Sequence, residues 1–184
     1  RRRMSDPQPV PDGVLLCTSC GLCCTGALHD TAALDEDEEQ AALAAGLPVV
    51  RGAERLDFAL PCPRLEGTRC GIYPDRPRVC ARYKCNLLLE VESGALPLAT
   101  ALGRVRTAGT LLANVATSLP AGAALPEIRA HLLPRTGEPR RDHPALRLHL
   151  TALTAFLDRH FRKPSEGRLL DIRAIASPSS GTPT

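Results

Sequence analysis

The strongest hydrophobic period in the chain lies towards its C-terminal end. Leu146, Leu150, Leu153 and Leu157 recur at i, i+4, i+7 and i+11, which is one face of an α-helix. With Pro144 at a favourable first-turn position, they predict a helix over 144–162. A second helix fits 97–118, weakened by Gly103 and Gly109, and a short one fits 126–133. Further upstream, Asp35 followed by Glu38 has the spacing of a capping box. The acids of 35–39 suit the positive end of a helix dipole, Gly46 is a stop and Pro48 lies beyond it. From about Pro77 another helix can begin, carrying Cys80 and Cys85 and ending near Gly94. Residues 49–61 read as extended or irregular, and alternating strand patterns are poor throughout. The pattern therefore predicts a mostly α fold, with an irregular cysteine-rich metal-binding end followed by a small helical bundle. Its expected divisions are a flexible leader over 1–13, the cysteine-cluster region over 14–94, a helical region packed on it over 95–175, and a disordered tail over 176–184.

Composition narrows the function. The 184 residues suit one domain with an appendage. They include two tyrosines, three phenylalanines and no tryptophan, too few aromatic faces for a platform that stacks bases. A net charge of +3 is too small to call for nucleic acid or an anionic membrane as partner. No apolar stretch is long enough for a membrane span, and the basic, Pro-rich start lacks the apolar segment of a secretory signal. The expected compartment is the cytoplasm, where thiols stay reduced.

That expectation changes the meaning of the eight cysteines, all of which lie between Cys17 and Cys85. In a reducing compartment they read as metal ligands rather than as a disulfide framework. The first group is Cys17, Cys20, Cys23 and Cys24; the second is Cys62, Cys70, Cys80 and Cys85. Ligands three apart converge in a tight turn, and Gly21 permits backbone torsions that other residues resist. Cys-x2-Cys-x2-Cys, with a further Cys-Pro pair such as Cys62-Pro63, is an iron–sulfur spacing; Cys-x2-Cys also occurs in zinc sites. Two constraints bear on the partition. Cys23 and Cys24 are neighbours whose side chains point apart, so either they serve two centres or one is not a ligand. Cys80 and Cys85, five apart, would stand about 140° apart around a helix. So either the helix begins after Cys80 or the two serve different centres. Eight cysteines divide naturally into two sites of four, but the spacing leaves the division open.

Between Arg64 and Lys84 there are six basic residues and two acidic ones. Four thiolates on Zn²⁺, or on an oxidised [4Fe–4S] core, carry a net charge of about −2. Arg76 and Arg82 are candidates to offset that charge and hydrogen-bond the sulfurs from outside, and Tyr73 and Tyr83 to keep water from the centre. Of the five histidines, His29 is the one to keep in view, because it follows the first cysteine group closely.

Cys17-x2-Cys20-x2-Cys23-Cys24, then Cys62-Pro63-x-Leu65, then Cys70-x-Ile72-Tyr73-Pro74-x-Arg76-Pro77-x2-Cys80, resembles the CxxCxxCC cysteine-cluster family, a zinc- or iron-chelating domain also described as an iron–sulfur protein. A similar cysteine region occurs in flagellin lysine methylases. The resemblance covers about residues 14–90 and implies a metal-chelating domain with all eight cysteines as candidate ligands. No dinucleotide, phosphate-loop, zinc-protease or nucleophile-elbow motif is present. Three readings follow. One is an iron–sulfur or iron protein with a redox, electron-transfer or sensing role, working with a redox or other protein partner. The second is a structural zinc module that binds a protein partner. The third is a metal-dependent enzyme, with methyl transfer suggested only by the methylase analogy.

Overall fold

The structure, a computed structural model, describes residues 10–119, 123–132 and 144–169. Most of the expected leader and the whole expected tail lie outside those residues. The order of elements is α1 (Asp12–Cys20), β1 (Thr31–Leu34), α2 (Glu39–Ala44), β2 (Val49–Arg51), β3 (Leu56–Ala59), β4 (Leu65–Glu66), β5 (Arg69–Cys70), α3 (Arg78–Arg82), α4 (Asn86–Glu92), α5 (Leu98–Ser118), α6 (Leu125–Leu132) and α7 (Pro144–His160).

The helical half forms around α5 and α7, which pack along each other's length. Leu146, Leu150, Leu153 and Leu157 are all buried, as their period requires, against Ala101, Val105, Ala108 and Val115 of α5. The alanines let the two backbones approach, and Gly103 and Gly109 lie within α5 without ending it. This core extends to Leu16 of α1 and to Leu87, Leu88 and Val91 of α4. A second core, of Leu34, Ala42, Leu47, Leu56, Phe58 and Leu60, lies under a three-stranded antiparallel sheet in the order β1-β3-β2. β4 and β5 form a separate two-stranded hairpin.

Three features differ from the sequence reading. The first cysteine group does not begin in a loop. Pro11 caps α1 with φ −58°, and the helix carries Cys17 and Cys20 before Gly21, at φ 66°, ends it. The cysteine-rich end also contains strands. β1 reads weakly because Ala32 and Ala33 have little β-propensity; its register is set by pairing with the largely buried β3, Leu34 opposite Leu56 and Ala32 opposite Phe58. Finally, the helix expected to carry both Cys80 and Cys85 is two helices. α3 holds Cys80, the chain turns extended at Tyr83, and Cys85 becomes the N-cap of α4, its Sγ accepting from the backbone N–H of Leu88 at 3.4 Å.

The capping box at Asp35 and Glu38 is present, opening a short 3-10 turn that runs into α2. Its acids also hold α3. Arg78 Nε donates to Asp35 at 2.7 Å, its guanidinium pairs with Asp37, and its backbone N–H donates to Glu38 at 2.8 Å. The acidic run is thus a clasp that orients the helix bearing Cys80.

Replacing Leu153 or Leu157, each 1% exposed, by alanine is expected to cost about 2–5 kcal/mol in urea unfolding. Leu148→Ala on the same helix, at a position 68% exposed, is expected to stay within about 0.5 kcal/mol.

Candidate metal centre

Four short elements bring the cysteines together. On α1 a spacing of three puts Cys17 and Cys20 on neighbouring positions of one face. After Gly21 the chain tightens into a turn, with Cys24 N–H donating to Gly21 O at 2.9 Å. A Cβ on Gly21 would come within 3.1 Å of Thr68 Cα, so the glycine serves both the left-handed turn and the close approach of the β4–β5 hairpin. Thr68 Oγ1 fastens that approach by donating to Thr18 O at 2.7 Å. Cys62 N–H donates to Cys24 O at 2.7 Å, which joins the two cysteine groups through the backbone. The hairpin places Cys70 opposite Leu65. α3 adds Cys80, and the start of α4 adds Cys85, where Asn86 N–H donates to Phe161 O at 2.8 Å.

All eight cysteines are free thiols, and all eight line one cavity of about 720 Å³. Its wall is otherwise largely apolar, with Leu16, Leu22, Phe58, Leu87 and Phe161 among the lining residues. Cys17 and Cys80 are exposed and the other six are partly buried. Among the described residues, no three Cys, His, Asp or Glu side chains close on a single point as one metal ion requires; the sulfurs stand around a shared space. The donor set is soft and sulfur-rich, which suits zinc, copper(I) or iron–sulfur groups and not the hard, oxygen-preferring magnesium or calcium.

Electrostatics sorts the eight. Burial pushes the Cys20 thiol up to about 12, and the neighbouring Cys85 and Cys17 add to it. Cys23 is also raised well above the ordinary value, by burial first and then by Cys85 and Cys20. Cys85 is raised by burial and by Cys17. Cys24 is raised to about 11 by burial, then by Cys62, Cys70 and Cys17. Cys80 is raised to about 12 by burial, Cys24, Cys62 and Cys70, and Cys62 is raised by burial and by Cys70. Packing agrees with this sorting, since Cys20, Cys23 and Cys85 rest on the helical core while Cys62 rests on the core under the sheet. The larger influences group Cys17, Cys20, Cys23, Cys85 and Cys24, Cys62, Cys70, Cys80, and Cys24 lies between the two, acting also on Cys20 and Cys23 and feeling Cys17.

Of the residues expected to touch the sulfurs from outside, Arg76 lines the cavity, and its charge favours the thiolate of both Cys17 and Cys80. It stacks on the Tyr73 ring at 3.6 Å and donates to Tyr73 O at 2.6 Å. Tyr73 also lines the cavity but is 45% exposed, a rim residue more than a shield. Arg82 is exposed and is not among the lining residues. Tyr83 also lines the cavity, and burial first, then Cys23, Glu166 and Cys85, push its phenol up. His29 is in the wall as well. His149 instead meets Ser118 Oγ at 3.0 Å, and His160 packs on Phe156. The side chains of His131 and His143 lie outside the described residues. The site also depends on residues that sequence reasoning missed, Arg129 and Arg162. Their guanidiniums reach back more than a hundred residues to the carbonyls of 26–28, and only the fold brings these partners together.

Among the described residues, no helix is long and apolar enough to cross a membrane. The chain matches no curated protein and no solved structure. Residues 16–97 match the family model CxxCxxCC, described as "Putative zinc- or iron-chelating domain". That match spans the eight cysteines and the elements that bring them round one cavity, and it marks residues 16–97 as similar to the metal-chelating cysteine-cluster domain of that family.

Proposed function

We propose that this protein holds iron–sulfur groups through two sets of four thiolates, Cys17, Cys20, Cys23, Cys85 and Cys24, Cys62, Cys70, Cys80, and works in electron transfer or redox sensing. The observation that carries the reading is that eight free thiols line one cavity; two sets of four are the division that their larger mutual influences favour. The Cys-x2-Cys-x2-Cys run supports iron–sulfur ligation. Cys62-Pro63 falls with the other quartet, much as the last Cys-Pro of a bacterial ferredoxin run serves that protein's second cluster.

The chain's own residues have clear tasks in such a site. Apolar lining excludes water. The N–H of Leu88 on Cys85 Sγ favours the thiolate, as hydrogen bonds to sulfur do in setting affinity and potential. Arg76 offsets negative charge between the two exposed thiols. Lys84 is paired with Glu92 at 2.7 Å, and the remaining lining charges, Arg69 and Arg76 against Asp12, leave a slightly basic mouth that suits an acidic redox partner; reduced thiols suit the cytoplasm.

Anaerobically purified protein is expected to contain iron and acid-labile sulfide in equal amounts, with broad absorption near 400 nm that bleaches on oxidation. Two zinc per chain without sulfide would show a structural zinc module instead. The partition has its own test. Cys23→Ser and Cys85→Ser should each remove the same half of the metal, and the double variant no more than either alone. Cys24→Ser and Cys62→Ser should remove the other half. Equal loss from both halves in every variant would break the division.

A pH test follows from the raised thiols. In the metal-free, reduced chain, the folded state keeps thiol protons that the unfolded chain sheds above the ordinary value of 9.0. The stability linked to this is present below that value and is lost as pH rises through the raised values of about 11 to 12. Melting temperature of the metal-free protein should therefore fall above about pH 9, where the reference thiols ionise. Metal uptake should release protons and tighten as pH rises from about 6 to about 8.

A further inference from the structure

Two of the eight cysteines differ from the rest in their access to solvent. Cys17 and Cys80 are exposed, and the other six are partly buried. All eight line the same cavity, so these two stand where its wall meets water. They come from separate parts of the chain. Cys17 lies on α1, one turn after Val14, and Cys80 lies on α3, just before Ala81. Val14 and Ala81 are exposed as well and line the cavity. Tyr73, 45% exposed, adds an aromatic face to the same lining. Each exposed sulfur thus has a small apolar surface beside it.

A cation, Arg76, belongs to the same rim. Its guanidinium is fixed at 3.6 Å over the Tyr73 ring and donates to Tyr73 O at 2.6 Å. Among the described residues it forms no ion pair, whereas Lys84 is taken up by Glu92 at 2.7 Å. Its charge reaches both Cys17 and Cys80. The rim therefore brings together two accessible sulfurs, some apolar surface and a positive charge without a carboxylate partner, a field that draws anions. Access also decides which sulfur can be replaced. A thiolate is both nucleophile and metal ligand, and exchange between sulfurs needs a path to the one that leaves. The apolar wall closes that path to the six partly buried cysteines more than to Cys17 and Cys80.

We propose that Cys17 and Cys80 are exchangeable metal ligands, which yield to an incoming thiol that carries a negative charge and so pass metal into or out of the cavity. The inference rests on the metal-binding reading of the cavity and adds a thiol-exchange activity to it. The incoming sulfur forms the metal bond that Cys17 or Cys80 gives up, and the proton of the incoming thiol passes to the freed cysteine. No electrons change hands, so the step needs neither oxidant nor reductant. Arg76 meets the negative group of the incoming thiol, and Val14, Tyr73 and Ala81 meet its carbon stem. The other six thiolates keep their hold during the exchange.

The test uses the full-length protein loaded anaerobically with Co²⁺. It is mixed with mercaptoethanesulfonate, mercaptoethanol or cysteamine (anionic, neutral and cationic) at equal thiolate concentration. A brief pulse of N-ethylmaleimide then traps the freed cysteines, which are read by mass spectrometry. Added thiol should raise labelling at Cys17 and Cys80 and leave the other six protected. The anionic thiol should act about 5-fold faster than the cationic one, the scale of one exposed charge contact, and added salt should shrink the difference. Arg76→Gln should abolish that difference and Arg76→Lys should restore part of it. Labelling that rises at all eight cysteines together would show metal leaving as a whole and would overturn the proposal. So would labelling that added thiol does not change, or equal rates for the three thiols. Those results leave the Co²⁺-loaded cavity standing as a metal site. A wild-type chain that takes up no Co²⁺ would overturn that reading and the exchange with it.

Discussion

Eight sulfurs share the lining of one cavity, and the cost of burying their charge governs how the rest of the chain is arranged. A thiolate in a weakly solvated wall is unfavourable unless a cation meets it, and a neutral thiol there is a poor ligand. The raised values of Cys20, Cys24 and Cys80 express that tension in the metal-free chain. A bound metal resolves it by supplying the positive charge that the wall lacks. For scale, a structural zinc contributes on the order of 10–16 kcal/mol of apparent binding free energy, comparable with the whole stability of a domain at about 5–15 kcal/mol. In a cysteine-rich half with three short strands over a modest core, site formation and folding are closely coupled.

The architecture follows from that coupling. Each cysteine-bearing element is short, and each is fastened by something other than its own length. α1 is stopped by Gly21 and pinned by Thr68. The β4–β5 hairpin follows directly on Cys62, itself tied to Cys24. α3 has only five residues and is held by Arg78 in the acidic turn before α2. α4 begins at a cysteine cap and leans on Phe161. The α5–α7 pair, whose stability is conventional burial of aliphatic side chains, supplies the rigid base from which these fastenings are made.

How much of this could be read without coordinates depended on the range of the interaction. Local, periodic signals were legible. The α7 stripe, the Pro97 start of α5, the Asp35–Glu38 box and the Gly46 stop all appear where the residues place them. β1 was not legible, because Ala32 and Ala33 take their strand conformation from partners 26 and 24 residues away. The break at Tyr83 was half legible. The angle between Cys80 and Cys85 excluded one shared helical face but did not say where the helix ends. For the site, the eight cysteines stood out by type and spacing, and the geometry of Cys23 next to Cys24 left two alternatives, two centres or a cysteine that is not a ligand. Which distant cysteine joins which group was not legible, since it depends on Cys62 meeting Cys24 and on α4 packing against α1. The roles of Arg129 and Arg162 were hidden for the same reason. Single arginines in an arginine-rich sequence carry no mark of the carbonyls they will reach.

The contacts of Phe161 and Arg162 also bear on when the site can assemble. Phe161 closes the start of α4 beside Cys85, and Arg162 secures Leu28 beside His29, yet both follow the last of the eight cysteines by more than 70 positions. During synthesis the cysteines leave the ribosome well before the residues that brace them, at about 5–20 residues per second. A nascent chain thus spends several seconds with its sulfurs out and its cage unbraced. Insertion of the inorganic group in its final form belongs after translation, once the end of α7 has docked.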